Sequence, residues 1–298
     1  MEQVYWGDSH LNLRSRQLEQ FESYFQAARE HLDFLPIAYY PMDYYQTMTG
    51  LRVESWHNRP HFLREWEQIN ALCAKYHEPG RFVTFPGYEW HGDRTRWGEH
   101  NVFYFSEGQP LDDCDDYSTL VAHLRQRNGL AIPHHIGYMT AQRAKDWDHF
   151  DPAITPFAEL YSNHGCSETA VNRFPQVNGR MGPWTSGSTY QDALQRGLHV
   201  GAICSGDTHM GFGGLYGHGL MAVWAPELTR EALWDAFRAR RVYGVTGDRL
   251  IIDYRLNDAP MGSIIEGHGP VTARAHLTCP QALDRVEWLR NGRVIQSY

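Results

Sequence analysis

The chain has 298 residues, 42% hydrophobic and 21% charged, enough for one large domain or one with a small appendage and too apolar for disorder. A formal net charge of −8 argues against a nucleic-acid backbone as the main partner. No apolar run approaches the ~20 residues of a membrane span, and no basic-then-apolar leader follows Met1. A cytoplasmic protein with no membrane partner is expected. The five cysteines, Cys73, Cys114, Cys166, Cys204 and Cys279, never stand in a C-x-x-C spacing and read as reduced thiols. Seventeen histidines direct attention to metal chemistry or proton transfer.

In chain order, Val4-Tyr5-Trp6 is a short strand that runs into Gly7-Asp8-Ser9-His10-Leu11-Asn12. Leu18, Phe21, Phe25 and Ala28 recur at the period of a helix. Phe34–Tyr40 is an apolar strand broken by Pro41, and a second helix carries Phe62, Trp66, Ile69, Cys73 and Tyr76 up to Pro79-Gly80. Arg81–Phe85 is a third strand with Glu89 past its end, and Asn101–Phe105 a fourth, entered through Gly98-Glu99-His100. A helix over Tyr117–Asn128, closed by Gly129, feeds Leu130-Ala131-Ile132 and then Pro133-His134-His135. Phe157–Tyr161 carries Glu159 and leads to Ser162-Asn163-His164. A helix near Thr189–Arg196 precedes the run Leu198–Ile203, which delivers Asp207 and His209. Leu220–Trp224 is one more strand and Thr229–Arg240 one more helix.

This alternation predicts a parallel α/β architecture over residues 1–247, barrel or open sheet. After Gly247 the helices stop. Arg249–Leu256, Val271–Thr278, Arg285–Arg290 and Arg293–Ser297 read as strands of a small antiparallel unit, 248–298, with Asn291-Gly292 as a hairpin turn. An uncovered edge there would suit a homo-oligomer.

The polar residues at strand ends are Asp8, His10, Asn12, Glu89, His100, His134, His135, Glu159, His164, Asp207 and His209. In a parallel barrel such ends converge on one face, and carboxylate with imidazole is the ligand chemistry of divalent metals. His134 and His135 are adjacent, so an extended backbone turns only one of them to the metals. Glu159 is either a ligand or the partner that orients a ligand histidine. His164 is either a substrate contact or a loop residue. His31, His57, His61, His77, His149, His199 and His276 read as ordinary histidines. Gly211–Gly219 reads as a rim loop, since it opens no helix after a strand.

G-D-S-H at Gly7–His10, L-D-F-L at Leu32–Leu35, P-G-Y-E at Pro86–Glu89, E-H-N-V at Glu99–Val102, P-H-H at Pro133–His135 and G-D-T-H at Gly206–His209 occur in order. Together they resemble the polymerase and histidinol phosphatase (PHP) domain, most closely its DUF3604 branch, over roughly residues 3–250. The resemblance implies a distorted (β/α)7 barrel, with the small C-terminal antiparallel β unit also like that branch. It implies a metal-dependent phosphoesterase using a metal-activated water and two or three divalent ions, manganese, zinc or iron. It matches His10, Glu89 and Asp207 to a first ion, Glu89 with His100 and His134 (or His135) to a second, and His209 to a third. The chain departs from the family at Asn12, where a histidine is usual, and at Tyr39-Tyr40, where an aspartate-histidine pair is usual. A two-metal site is therefore expected.

In that reading His209 or His164 protonates the leaving oxygen of a small phosphorylated substrate, and the Tyr40 hydroxyl donates to a phosphoryl oxygen. Two alternatives stay open: an amidohydrolase-like C–N or C–O hydrolase, and a degenerate metal-binding module without turnover. Trp90, Trp97, Trp147 and Trp184 could stack on a substrate or pack the rim. Arg94, Arg96, Arg143 and Arg173 are candidate anion contacts.

Overall fold

The computed structural model describes residues 2–15, 17–46, 52–55, 59–176, 185, 187–209, 212–267 and 269–298. His57, Trp184, Gly211 and His268 lie outside them. The first strands are β1 (Gln3–Gly7), β2 (Leu11–Arg14), β3 (Phe34–Tyr40), β4 (Asp43–Gln46), β5 (Arg52–Ser55), β6 (Val83–Phe85), β7 (Gly87–Trp90), β8 (His100–Tyr104) and β9 (Gly129–Pro133). Then follow β10 (Phe157–Ser162), β11 (Gly165–Cys166), β12 (Gly201–Cys204), β13 (Leu220–Ala225) and β14 (Val242–Val245). The helices are α1 (Leu18–Arg29), α2 (Arg59–Tyr76), α3 (Arg94–Trp97), α4 (Tyr117–Gln126), α5 (Tyr190–Gln195) and α6 (Arg230–Arg238).

The main sheet is hydrogen-bonded in the order β14-β13-β1-β3-β7-β8-β9, with β2 and β6 also paired to β3. Both neighbours of β3 are two-part strands. On one side β1 pairs at Phe34 and β2 from Ile37 to Tyr40, and the break falls at Asp8–His10. On the other, β6 pairs with Phe34–Pro36 and β7 at Tyr39, and the break falls at Pro86, which has no N–H to continue a ladder. Glu89 therefore lies inside a strand rather than past the end of one.

Side chains alternate across this sheet. Leu35, Ile37, Tyr39, Tyr88, Trp90, Val102 and Tyr104 turn outward and pack with α1, α2 and α4. Phe34, Phe103, Leu130, Ile132, Phe157 and Ile203 turn inward. At the inner end α6 acts as a plug, with the Phe237 ring 5.9, 5.6 and 5.7 Å from those of Phe34, Phe85 and Phe157. β10 pairs parallel with β12, and β12 runs against β14 so closely that a Cβ added at Gly244 would lie 2.4 Å from the Cys204 nitrogen. The result is a mixed α/β fold whose sheet curls into a half-barrel.

The expectation of a parallel sheet holds only around β3 and between β10 and β12. β7–β8, β8–β9, β1–β13 and β13–β14 are antiparallel. Between β7 and β8 the cause is length: the chain from Trp90 to His100 is too short for a parallel crossover, which takes a dozen or more residues.

The last strands, β15 (Ile251–Leu256), β16 (Ala259–Pro260), β17 (Ala273–Thr278), β18 (Glu287–Arg290) and β19 (Arg293–Ser297), pair antiparallel as expected. Asn291 (φ 51°) and Gly292 (φ 71°) form their hairpin turn with both central residues left-handed. β15 is held on the half-barrel, since Trp224 Nε1 donates to the Ile252 carbonyl at 2.9 Å and Tyr243 Oη to that of Leu250 at 2.8 Å. All five cysteines carry free thiols. Among the described residues no helix is long and apolar enough to cross a membrane.

Because Phe237 meets three inward rings at once, Phe237→Ala is expected to lower unfolding free energy by about 3–5 kcal/mol, the usual cost of a large-to-small core change. Denaturant titration showing a loss below about 1 kcal/mol would mean that α6 does not plug the half-barrel.

Candidate metal centre

The end of the half-barrel opposite the plug is polar. There Asp8, fully buried, ties two segments together: Oδ1 accepts from the His10 and Gly206 amides at 3.0 and 2.9 Å, and Oδ2 from the Gly214 amide at 2.9 Å. Burial raises its carboxyl above the ordinary value against the pull of these three donors. Any Cβ at Gly206 would stand 2.6 Å from Asp8 Oδ2, so this approach requires glycine. Asp8 is thus a brace, and the segment it braces carries Asp207, itself at φ 49°.

His10 follows the break in β1–β2 and points inward. Its Nδ1 lies 2.7 Å from Glu159 Oε2, and its Nε2 lies 3.5 Å from Asp207 Oδ1 and 3.7 Å from Glu89 Oε2. Glu159, inward on β10 like Phe157, is also bonded by Ser205 Oγ and by the His135 amide. Both its oxygens are thus engaged by donors. His134 stands edge-on to His10, ring centroids 4.3 Å apart, with Nε2 3.7 Å from Glu89 Oε1. Ligand-type atoms of His10, His134, Glu159 and Asp207 all lie within 4.8 Å of one another.

A second group of the same kind is Glu89, His91 and Glu99. His91 Nε2 is 3.0 Å from Glu89 Oε1 and 3.5 Å from Glu99 Oε1. Glu99 also meets Arg94 at 2.9 Å, Arg143 at 2.7 Å and His135 Nε2 at 3.1 Å. Burial works against ionising Glu89, yet His91, His10 and His134 hold its carboxyl well below the usual range. Glu99 is held low in the same way by His135, Arg94 and Arg143. Glu89 faces both groups.

One expectation is corrected. His100 joins neither group. Its ring stacks on Tyr117 at 4.8 Å and meets Trp90 at 5.7 Å, on the outward face that Val102 and Tyr104 share. Strand alternation is the reason, for it gives the inward face to Glu99, Asn101 and Phe103. Of the histidine pair only His134 belongs to a group among the described residues. His135 has φ 34°, which breaks the extended alternation after β9, and the rings of His134 and His135 lie 4.3 Å apart on the same side. Burial outweighs all else to keep His134 well below the ordinary imidazole value. At His135 the Glu99 carboxylate overcomes burial and raises it. Sequence reasoning missed His91 and Glu99 as members. The signal was present, since His91 sits two residues beyond Glu89 and Glu99 two before Asn101, at strand period.

The other expected residues gather round Asp207. Asn12 Nδ2 lies 3.3 Å from Asp207 Oδ1, and His209 Nε2 lies 3.6 Å from the same oxygen. His164 Nε2 lies 3.2 Å from Asp207 Oδ2, while its Nδ1 is 3.1 Å from Tyr138 Oη. Burial lowers both His164 and His209, with Asp207 opposing. Tyr40 is buried with its ring edge-on to His91 (4.9 Å) and to His209 (5.2 Å).

The residues fit a divalent cation. His10 Nε2, both nitrogens of His134, Glu89 Oε2 and Asn12 Oδ1 are buried with no hydrogen-bond partner among the described residues. Orphaned imidazole and carboxylate atoms facing each other are costly unless something binds them, and this N/O set suits zinc, manganese or iron.

A cavity of about 310 Å³ adjoins the second group, lined by Glu89, His91, Phe62, Tyr88, Trp90 and Leu111 with Asp112–Asp115 at its side. A larger recess of about 510 Å³ between α5, β12 and Met261–Ile264 lies away from these groups. Trp97 and Trp147 are buried, and Trp90, also buried, lines the smaller cavity while its Nε1 donates to the Cys114 carbonyl at 2.7 Å. Of the candidate anion contacts, Arg94 and Arg143 neutralise Glu99, Arg96 lies 4.2 Å over Trp97, and Arg173 lies 5.9 Å over Phe174.

Residues 208–256 match the family described as "Protein of unknown function (DUF3604)". An uncharacterised protein of Chlamydia pneumoniae is 26% identical over 255 residues, covering 78% of this chain and 40% of the relative. One from Chlamydia trachomatis serovar D is 26% identical over 216 residues, 65% of this chain and 34% of the relative. This chain therefore spans well under half the length of these relatives. Among solved structures, a two-domain protein of Bacteroides vulgatus, described as containing a predicted PHP-like metal-dependent phosphoesterase, superposes with a TM-score of 0.51. The match has 15% identity and covers 83% of this chain and 66% of that one. The resemblance carried by the six short motifs is thereby borne out: the chain is similar to DUF3604 proteins and has a PHP-like fold with buried His/Glu/Asp groups.

Proposed function

We propose that this chain is a metal-dependent hydrolase acting on phosphate esters, its half-barrel being the distorted (β/α)7 barrel of PHP type. The observation that carries the reading is Glu89, a buried carboxylate with one oxygen toward His10 and the other toward His91 and His134. His10, Glu89 and Asp207 would hold one divalent ion; Glu89, His91 and His134 would hold a second. Two such ions, when bound, neutralise phosphoryl oxygens and lower the pKa of water.

The protein groups have separate duties. Glu159 accepts from His10 Nδ1 and so keeps the lone pair of Nε2 pointing inward. His164, 20% exposed and backed by Tyr138, can carry a proton at Nε2 toward a leaving oxygen. Tyr40 can donate from its hydroxyl to a phosphoryl oxygen. The two lysines are engaged elsewhere, Lys75 with Glu22 and Lys145 with the His149 carbonyl and over the Tyr117 ring, which counts against an amidohydrolase-like bridge.

Metal analysis and turnover on phosphomonoesters, phosphodiesters and amides test the reading together. Two ions per chain with phosphoester turnover are expected. Ions without turnover on any substrate class would favour a binding module instead. Glu89→Gln is expected to lose both ions, and His91→Ala one. His100→Phe, outside both groups, should keep the full complement, and loss of an ion there would return His100 to the ligand set.

Glu159→Gln should keep the fold but weaken metal affinity about 10- to 100-fold, the usual effect of removing a carboxylate behind a ligand histidine. Unchanged affinity in a competition titration with a chelator would remove Glu159 from the orienting role.

A further inference from the structure

His31 stands just past the C-terminal end of α1, and both of its ring nitrogens lie on carbonyl oxygens. Nδ1 is 2.9 Å from the Ala27 oxygen and Nε2 is 2.7 Å from the Gly213 oxygen. A carbonyl oxygen only accepts, whereas a neutral imidazole carries one N–H and one lone pair. Neither neutral tautomer serves both contacts, since each would set a lone pair against an oxygen. The imidazolium serves both. The end of a helix, where carbonyls are left over, also favours a positive charge.

The Gly213 contact reaches further into the molecule. The Gly213 carbonyl and the Gly214 amide belong to one peptide unit, and that amide donates to Asp8 Oδ2 at 2.9 Å. A single peptide group thus spans His31 and Asp8, oxygen toward the imidazole and N–H toward the carboxyl, the orientation in which each bond polarises the other. The unit is fitted to its place: Gly214 has φ 76°, and a Cβ there would lie 2.9 Å from His31 Nε2. Phe212, edge-on to Tyr24 of α1 at 5.8 Å, brings the same loop onto that helix. The other charged groups around the ring are Arg29 and Glu30 at the end of α1, Asp33 after it, and Arg249, whose guanidinium donates to the His31 carbonyl. Arg29 is paired with Glu78, and Asp33 accepts from the Trp6 amide.

We propose that His31 is a protonation-dependent clasp on the rim loop: as an imidazolium it holds the Gly213–Gly214 peptide against α1 and, through that peptide, steadies Asp8. His31 is a positioning residue, since Asp8 in turn accepts from the Gly206 amide and so braces the segment that carries Asp207. Only the charged ring makes both bonds, so the clasp is closed at the acid end and opens as rising pH removes one ring proton. The clasp does not depend on which reaction the polar end performs.

The full chain labelled with nitrogen-15 tests this with neither metal nor substrate. Nitrogen shifts follow the two ring nitrogens of His31 from about pH 5 to about pH 9, across the range in which imidazoles change charge. While both nitrogens carry a proton, exchange of the Gly214 amide should be slow. Once one proton is lost, that exchange, corrected for its intrinsic pH dependence, should quicken about tenfold or more, the scale of a charge-assisted hydrogen bond. In His31→Leu, which has neither bond, Gly214 should exchange fast at every pH, with no step. Protection of Gly214 that does not follow the His31 titration would overturn the clasp, and so would the same step in His31→Leu. The ring is exposed, so the variant is expected to fold; if it does not, the coincidence of the two titrations in the unmodified chain decides alone.

Discussion

The polar end depends on one contact, the 2.7 Å bond between His10 Nδ1 and Glu159. It places the proton of His10 on the side away from the centre and turns the Nε2 lone pair toward Asp207 and Glu89. Without it the ring would be free to take the other tautomer, presenting an N–H to two carboxylates as a plain ion pair. With it, Nε2 of the neutral ring faces carboxylate oxygens at 3.5 and 3.7 Å, an arrangement that a divalent cation completes and that, without one, a proton completes: against burial, Asp207 and Glu159 raise the His10 pKa well above the ordinary value. Glu159 is itself held by Ser205 and the His135 amide, so the orientation is built into three strand ends rather than one side chain.

Charge balance then separates the two groups. Glu99 is answered by two arginines and an imidazole, and needs no ion to stay ionised. Among the described residues the ion-pair partners of Glu89 are imidazoles alone. An ion between the groups therefore gains more from Glu89 than from Glu99. Glu99 acts best as the anchor that sets His91 and His135, its own charge already spent on Arg94 and Arg143.

Much of this was legible in the sequence. The strand ends bearing His10, Glu89, His134, Glu159 and Asp207 were assigned from apolar runs and short motifs, and they do converge. Where reading failed, the cause was local geometry. His100 and Glu99 are neighbours, and the motif favours the histidine as ligand. The apolar alternation His100, Val102, Tyr104 sends that histidine to the helix layer, and only burial reveals it. His135 stays out of both groups although its ring lies on the same side as that of His134: a left-handed φ of 34° ends strand alternation just beyond β9, and its Nε2 is taken up by Glu99. The parallel barrel was overstated because alternating strands and helices do not report strand direction, and the short β7–β8 connection was the overlooked cue.

The same geometry explains why the fold can carry so many buried titratable groups. The half-barrel is sealed at one end by Phe237 against three rings, a contact that owes nothing to the polar end. The layers outside the sheet are likewise apolar on β3, β7 and β8. The groups facing Glu89 and Asp207 thus do not have to stabilise the chain, and their unpaired atoms cost free energy that the plug and the outer helices offset. Asp8, a buried carboxyl whose hydrogen bonds among the described residues all go to backbone amides, fixes Gly206 and Gly214 so that Asp207 and His209 arrive in place. The division is between side chains that brace the loops and side chains left unpaired.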